Sequence, residues 1–224
     1  HMYGVKLAFP ALPYPCVSLV VSGGHTSLYL SRSEIDHERL GSTTDDAAGE
    51  AFDKVAKILE LGFPGGPVID RLAAGRDPRK VVFKRTIPEG FDFSFSGIKT
   101  SVLYRVKGQD GRGAMALDGE ERRDLAAGFQ EAVVDMLLEQ TLKAARKTRT
   151  LRVAVGGGVA CNSRLRAKLA QEAARSGIEC FFPPPRYCTD NAAMIAGLGW
   201  HLLRAGRASD LHLDVVPTKI HRQS

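Results

Sequence analysis

The chain has 224 residues, 44% hydrophobic and 25% charged, an ordinary globular balance that allows one large domain or two small lobes around a real core. A net charge of +6 favours polyanions, since neutralising phosphates releases counterions, although a solvated basic surface would look the same. Cys16, Cys161, Cys180 and Cys188 form no CxxC pair, which argues against a zinc ribbon and fits reduced thiols in a cytoplasmic protein. No apolar run is long enough to cross a membrane, and no signal-peptide pattern opens the chain.

The opening His1-Met2 reads as a cloning scar or as a native beginning. Residues 16–21, CVSLVV, are β-branched and apolar and predict a buried strand. A glycine pair separates it from a second strand over Thr26–Leu30, so the two make a hairpin. Ala48, Phe52, Val55, Ala56 and Leu59 then recur at helical spacing. Pro67 suits the first turn of a further helix over Val68–Ala74. Phe91, Phe93 and Phe95 alternate with polar residues and predict a strand, and a helical stretch runs from Gly97 to Val106. Residues 107–119 read as a polar, glycine-rich loop. Beyond it come a long helix over Glu121–Lys147, a strand over Leu151–Val155 and a helix from about Ser163. A short strand over Ile178–Phe182 and a last helix through Leu203, capped by Thr189-Asp190, complete the chain. Helices alternating with short buried strands argue for an α/β fold, which binds ligands at the carboxyl ends of its strands.

Three glycine loops are read as following strands: 20–26 (VVSGGHT), 63–67 (FPGGP) and 155–162 (VGGGVACN). Glycine lets backbone N–H groups approach phosphate oxygens, and a following helix N-terminus favours the anion. None matches the P-loop or the dinucleotide fingerprint, so each alone is equally an ordinary tight turn. Asp45, Asp46, Glu50 and Asp53 cluster at one helix start, where Asp45 and Asp46 would complement the helix dipole. Asn162 is a helix cap or a ligand for a hydroxyl. Asp190 is a cap or a metal ligand, and His25 reads as a structural part of its turn.

The segments LVVSGGHTSL, TTDDAAGEAFDKVAKILELGFPGGPVID, FDFSFSGIKTSV, VAVGGGVACNSRLRAKL and CTDNAAMIA resemble the tRNA N6-adenosine threonylcarbamoyltransferase family, once called O-sialoglycoprotein endopeptidases. The resemblance implies the actin-like, sugar-kinase-like ATPase fold, of which this chain would be mostly the second lobe, a mixed sheet flanked by helices. It divides the chain into a remnant or tag at 1–14, the C-terminal part of the transferase at 15–217 with a helical insertion around 45–148, and a tail at 218–224. The implied reaction moves threonylcarbamoyl from threonylcarbamoyl-AMP to N6 of the adenosine 3′ to the anticodon. The implied substrate-binding residues are Val20, Val21, Ser22, Gly23, Gly24, Asp53, Gly66, Asp70 and Asn162. ATP or ADP would be further nucleotide ligands, and tRNA, a paralogous scaffold subunit and a small ATPase subunit the partners, with no membrane.

The resemblance also implies one iron or zinc ion, held by Asp190 and two histidines of an H-x-E-G-H motif. Here that stretch reads HMYGV: His1 stands at the first histidine, Tyr3 at the acid and Val5 at the second histidine. The family's first lobe has no counterpart, so the expectation is weak metal binding and no transfer activity by this chain alone. Competing readings are a kinase-like phosphotransferase on the same fold and a non-catalytic scaffold paralogue. A metalloprotease is disfavoured, because no HExxH helix is present.

Overall fold

The computed structural model describes residues 1–108, 113, 117–210 and 212–214. Most of the glycine-rich loop and the 218–224 tail lie outside the described residues. Five strands form one mixed sheet: β1 (Cys16–Val21), β2 (Thr26–Ser31), β3 (His37–Ser42), β4 (Arg152–Gly156) and β5 (Glu179–Phe181), in the order β3-β2-β1-β4-β5. β1 pairs antiparallel with β2 and parallel with β4, with Leu19 opposite Leu28 on one side and Val155 on the other. The apolar, β-branched sequence of β1 suits this central position, where both of its faces are covered.

Alternation along β1 divides two cores. Val17, Leu19 and Val21 join the main cluster, under α2 (Ala48–Ile58), α4 (Ser96–Lys107), α5 (Gly119–Lys147) and α6 (Ser163–Arg175). On the other face Cys16 packs with Val5, Leu12, Ala154 and Phe181, beneath α1 (Met2–Ala8). The polar members of that face are satisfied: Ser18 Oγ and Ser31 Oγ hydrogen-bond at 2.7 Å, and His37 Nδ1 lies 2.9 Å from Ser31 Oγ. Residues 2–8, within the stretch expected to be a remnant, thus form a helix that helps close the second face.

Helix starts follow capping chemistry. Asp118 accepts from Glu120 N and Glu121 N, and Glu121 Oε2 accepts in turn from Asp118 N, so α5 opens at Gly119. α3 (Gly65–Ala73) carries Pro67 in its first turn, where a missing N–H costs nothing.

Three expectations are corrected. Residues 91–95 are not a strand: Phe93 makes only an isolated bridge to Thr43. The alternation there places Phe93 and Phe95 in the core while Asp92 Oδ1 accepts from Ser42 N, so side-chain anchoring, not sheet pairing, sets the period. Asp45 and Asp46 do not complement α2; that helix is capped at Ala47, whose N–H donates to Glu50. Asp45 instead accepts from Phe95 N and Ser96 N at the start of α4, while Asp46 pairs with Lys54 and Lys99. Burial works to raise the Asp45 carboxyl, but the hydrogen bonds from Ser94, Ser96 and the two backbone N–H groups outweigh it and hold it low. Finally, Asp190 does not cap α7 (Ala192–Arg204): Asn191 does, its Oδ1 accepting from Met194 N at 3.0 Å.

Candidate functional site

The parallel strands β1 and β4 end side by side, with Val20 opposite Gly156. Past their carboxyl ends opens a cleft of ≈ 490 Å³, within the range of small-molecule sites. One wall is α2 and α3, presenting Phe52, Asp53, Gly66, Asp70 and Arg71; the other is the 3-10 turn Gly158–Cys161 with Asn162 and, beyond it, Thr189.

Two glycines allow this convergence. Gly157 has φ +103°, and a Cβ there would fall 2.2 Å from Val21 O. A Cβ on Gly49 would lie 2.7 Å from the Gly23 Cα, so α2 can press its first turn against the β1–β2 turn only without one. Beside Gly23, Gly66 and Gly158, by contrast, a Cβ would meet nothing within 4 Å, which leaves room for a ligand at backbone distance.

The polar walls are organised by helix N-termini. Asp53 Oδ1 accepts from Gly65 N at 2.7 Å, at the start of α3. Asp70 accepts from Ser163 N at 3.0 Å and Ser163 Oγ at 2.8 Å, tying α3 to the start of α6. Asn162 caps α6 through Leu165 N at 2.9 Å, while its Nδ2 donates to the buried Gln130 Oε1 at 2.8 Å. The cap reading of Asn162 therefore holds, and its side chain lines the cleft as well. N-termini of three helices, α2, α3 and α6, thus border one space, and the first N–H groups of α3 and α6 are already taken by Asp53 and Asp70.

Of the residues the resemblance implied, Gly23, Asp53, Gly66, Asp70 and Asn162 gather around this cleft. Val20 and Val21 belong to β1. Ser22 turns inward: its Oγ accepts from His25 N and its carbonyl from Gly49 N. Gly24 lies beside it in the same turn, exposed. His25 thus takes part in the turn through its backbone, since its carbonyl also accepts from Ser22 N. Sequence reasoning passed over Arg71, Thr189 and Cys161 as cleft residues; none stands in a pattern that separates it from a surface or core position.

Asp190 projects into solvent, its side chain 90% exposed, with the His1 Nε2 at 3.6 Å. His1 Nδ1 is buried without a hydrogen-bond partner, and Val5, one turn along α1, is wholly buried in the second core. Among the described residues no group of three or more His, Cys, Asp or Glu side chains could hold a metal ion. Two donors and an isopropyl group do not fit the implied ion, because a tightly held zinc takes three or four protein ligands.

The five-stranded mixed sheet flanked by helices, with a cleft at the carboxyl ends of its parallel strands, is of the actin-like class of fold. Solved structures agree on the fold: full-length HypF in a phosphate- and nucleotide-bound form superposes with a TM-score of 0.68 at 13% identity, covering 93% of this chain and 36% of that one. An activator of 2-hydroxyisocaproyl-CoA dehydratase from Clostridium difficile, with bound ADPNP, gives 0.50 at 16% identity, covering 95% and 69%. The family model for TsaD, tRNA N6-adenosine threonylcarbamoyltransferase, matches residues 1–197, and the chain belongs to that family. The relative of that name from Syntrophotalea carbinolica is 49% identical over 220 residues, covering 96% of this chain and 63% of its own length. The one from Thermosipho africanus is 45% identical, covering 97% and 64%. The chain thus spans somewhat under two thirds of these relatives. Among the described residues no helix is long and apolar enough to cross a membrane.

Proposed function

We propose that the cleft binds an adenylate and that the protein serves tRNA threonylcarbamoyladenosine synthesis, in which threonylcarbamoyl passes from threonylcarbamoyl-AMP to N6 of the adenosine 3′ to the anticodon. The observation that carries this reading is the convergence of Gly23, Asp53, Gly66, Asp70 and Asn162 on one cleft at the carboxyl ends of β1 and β4. Family membership supports it, as do the nucleotides named in the two structural relatives. In the reaction AMP is already a good leaving group, so the cleft's work is to hold and orient the mixed anhydride. Backbone N–H groups beside Gly23, Gly66 and Gly158 would meet its phosphate, and Asp53 or Asp70 its hydroxyls.

ATP or ADP would occupy the same cleft. The substrate side is tRNA, which suits a net charge of +6 and a cytoplasmic site of action. The partners in this reading are a paralogous scaffold subunit and a small ATPase subunit. The His1–Asp190 pair is too sparse to hold the family's iron or zinc, and transfer by this chain alone is not expected.

Calorimetric titration with ADP tests the cleft. The chain should bind ADP, and Gly66→Leu should weaken binding at least ~10-fold with unchanged circular dichroism, because its side chain would enter open space. Absence of ADP binding, or equal binding by the variant, would sink the reading. Turnover with tRNA and threonylcarbamoyl-AMP would overturn the inactivity expected of this chain by itself.

A further inference from the structure

α7 is a two-faced helix, and only its inner side is packed. Met194 is buried, a Cβ on Gly197 would fall 2.1 Å from Tyr3 Cε1, and the His201 ring lies 5.6 Å from that of Tyr3. Positions 194, 197 and 201 are thus the side held against α1.

The outer side is apolar along its whole length. Ala192, Ile195, Ala196, Gly199, Trp200 and Leu203 recur there at helical spacing, all exposed. Ile195 is 66% exposed, Trp200 52% and Leu203 65%. Single apolar residues are common on a surface, but three large ones aligned on one stripe mark a face that takes a partner. The two ends of the stripe carry opposite charges. Asp190 lies just before the helix with its side chain in solvent. Arg204 is the last residue of the helix, and its guanidinium lies over the Trp200 ring, 4.8 Å from the centroid. Between them the sequence has no acid and no other Lys or Arg.

These features make the stripe complementary to itself when turned end for end. In an antiparallel second copy Ile195 stands opposite Trp200, and Ala192 opposite Leu203. The small Ala196 and Gly199 meet at the middle, where a Cβ on Gly199 would touch nothing of its own chain within 4 Å. Arg204 of each copy reaches Asp190 of the other, and each helix dipole sets its positive end beside the other's negative end. A parallel copy would instead put Arg204 beside Arg204 and Asp190 beside Asp190.

We propose that the outer face of α7 is an interaction surface for a second copy of this chain, the same stripe serving both copies in an antiparallel pair. A helix of 13 residues is about 20 Å long, so the contact buries less than the roughly 1,200 Å² of a standard interface. The dimer is therefore weak and exchanging, with a micromolar dissociation constant. The pairing rests on α7 and does not depend on which nucleotide the cleft takes.

Sedimentation equilibrium of the whole chain, up to about 100 μM, tests the pairing. A dimer should grow in with concentration and be lost in Ile195→Glu and in Leu203→Glu, two exposed positions at which circular dichroism should not change. Trp200→Ala should weaken association at least ~10-fold. Arg204→Asp and Asp190→Arg should each weaken it, and the double variant should associate more tightly than either single one, a recovery that a merely sticky surface would not show. A monomer throughout this range overturns the proposal and leaves the face to the share of the relatives' length that this chain does not span. A dimer indifferent to Ile195→Glu and Leu203→Glu, or charge variants that show no recovery when combined, overturns it as well.

Discussion

The cleft wall at Asp53 and Asp70 and the corner at His1 and Asp190 both lie near the carboxyl end of β4, yet their side chains are held on different terms. Asp53 and Asp70 each accept the first backbone N–H groups of a helix, so the fold itself fixes where their carboxylates point. Among the described residues no backbone N–H bonds to Asp190, and its company is a histidine at 3.6 Å. On the first wall, orientation is a by-product of folding. In the second corner it would have to come from a ligand, and the position one turn along α1 carries Val5 in place of a donor.

The contrast can be broken at four points, the largest effect first. Gly157→Ala puts a Cβ against Val21 O in a left-handed conformation, and should cost about 3 kcal/mol or more in urea unfolding, whereas Gly158→Ala faces open space and should cost under ~1 kcal/mol. Equal costs would mean that the 157 turn does not need its observed geometry.

Val5→His places a ring with polar nitrogens in the second core and should cost about 1–3 kcal/mol in chelator. Added zinc should then raise the melting temperature of the variant and leave that of the parent chain unchanged. A variant indifferent to zinc would show that His1 and Asp190 do not point toward a shared centre with residue 5.

Asp70→Ala removes the acceptor for Ser163 N and should lower stability by about 1–2 kcal/mol while weakening ADP at least ~10-fold. Loss of binding at full stability, or the reverse, would separate the two roles that the geometry joins. Asp190→Ala, at a side chain 90% exposed, should stay within about 0.5 kcal/mol in the same unfolding measurement. A larger loss would show that the corner is structural after all.

The same difference explains what could be read in the sequence. β1, β2, α2 and α6 stood out because their apolar period and flanking glycines or caps act over a few residues. β3, with the sequence HERLGS, gave no signal: it is an edge strand, largely exposed, and carries charge where a core strand would be apolar. The 91–95 segment misled because it is anchored by Ser42 N donating to Asp92, Phe95 N donating to Asp45 and Gln140 Nε2 donating to Asp92 O, contacts between positions distant in sequence. Asp45 serving α4 in place of its own neighbour α2 is the same kind of event. At the cleft, motif resemblance supplied Asp53 and Asp70 as ligand contacts, but only the fold revealed them as caps.

The parallel pairing of β1 with β4 carries a consequence for how the molecule comes into being. Val17 lies beside Val153, so the middle of the sheet waits for a strand made late in synthesis. Until that strand docks, the β1–β2 hairpin has one bare edge, and the 23 and 158 sides of the cleft have no fixed relation. Closing so long a loop of chain is entropically slow, and no local segment can rehearse the result. A molecule fitted to the cleft therefore recognises the finished chain alone, so its binding would count completed folds and pass over every partial one.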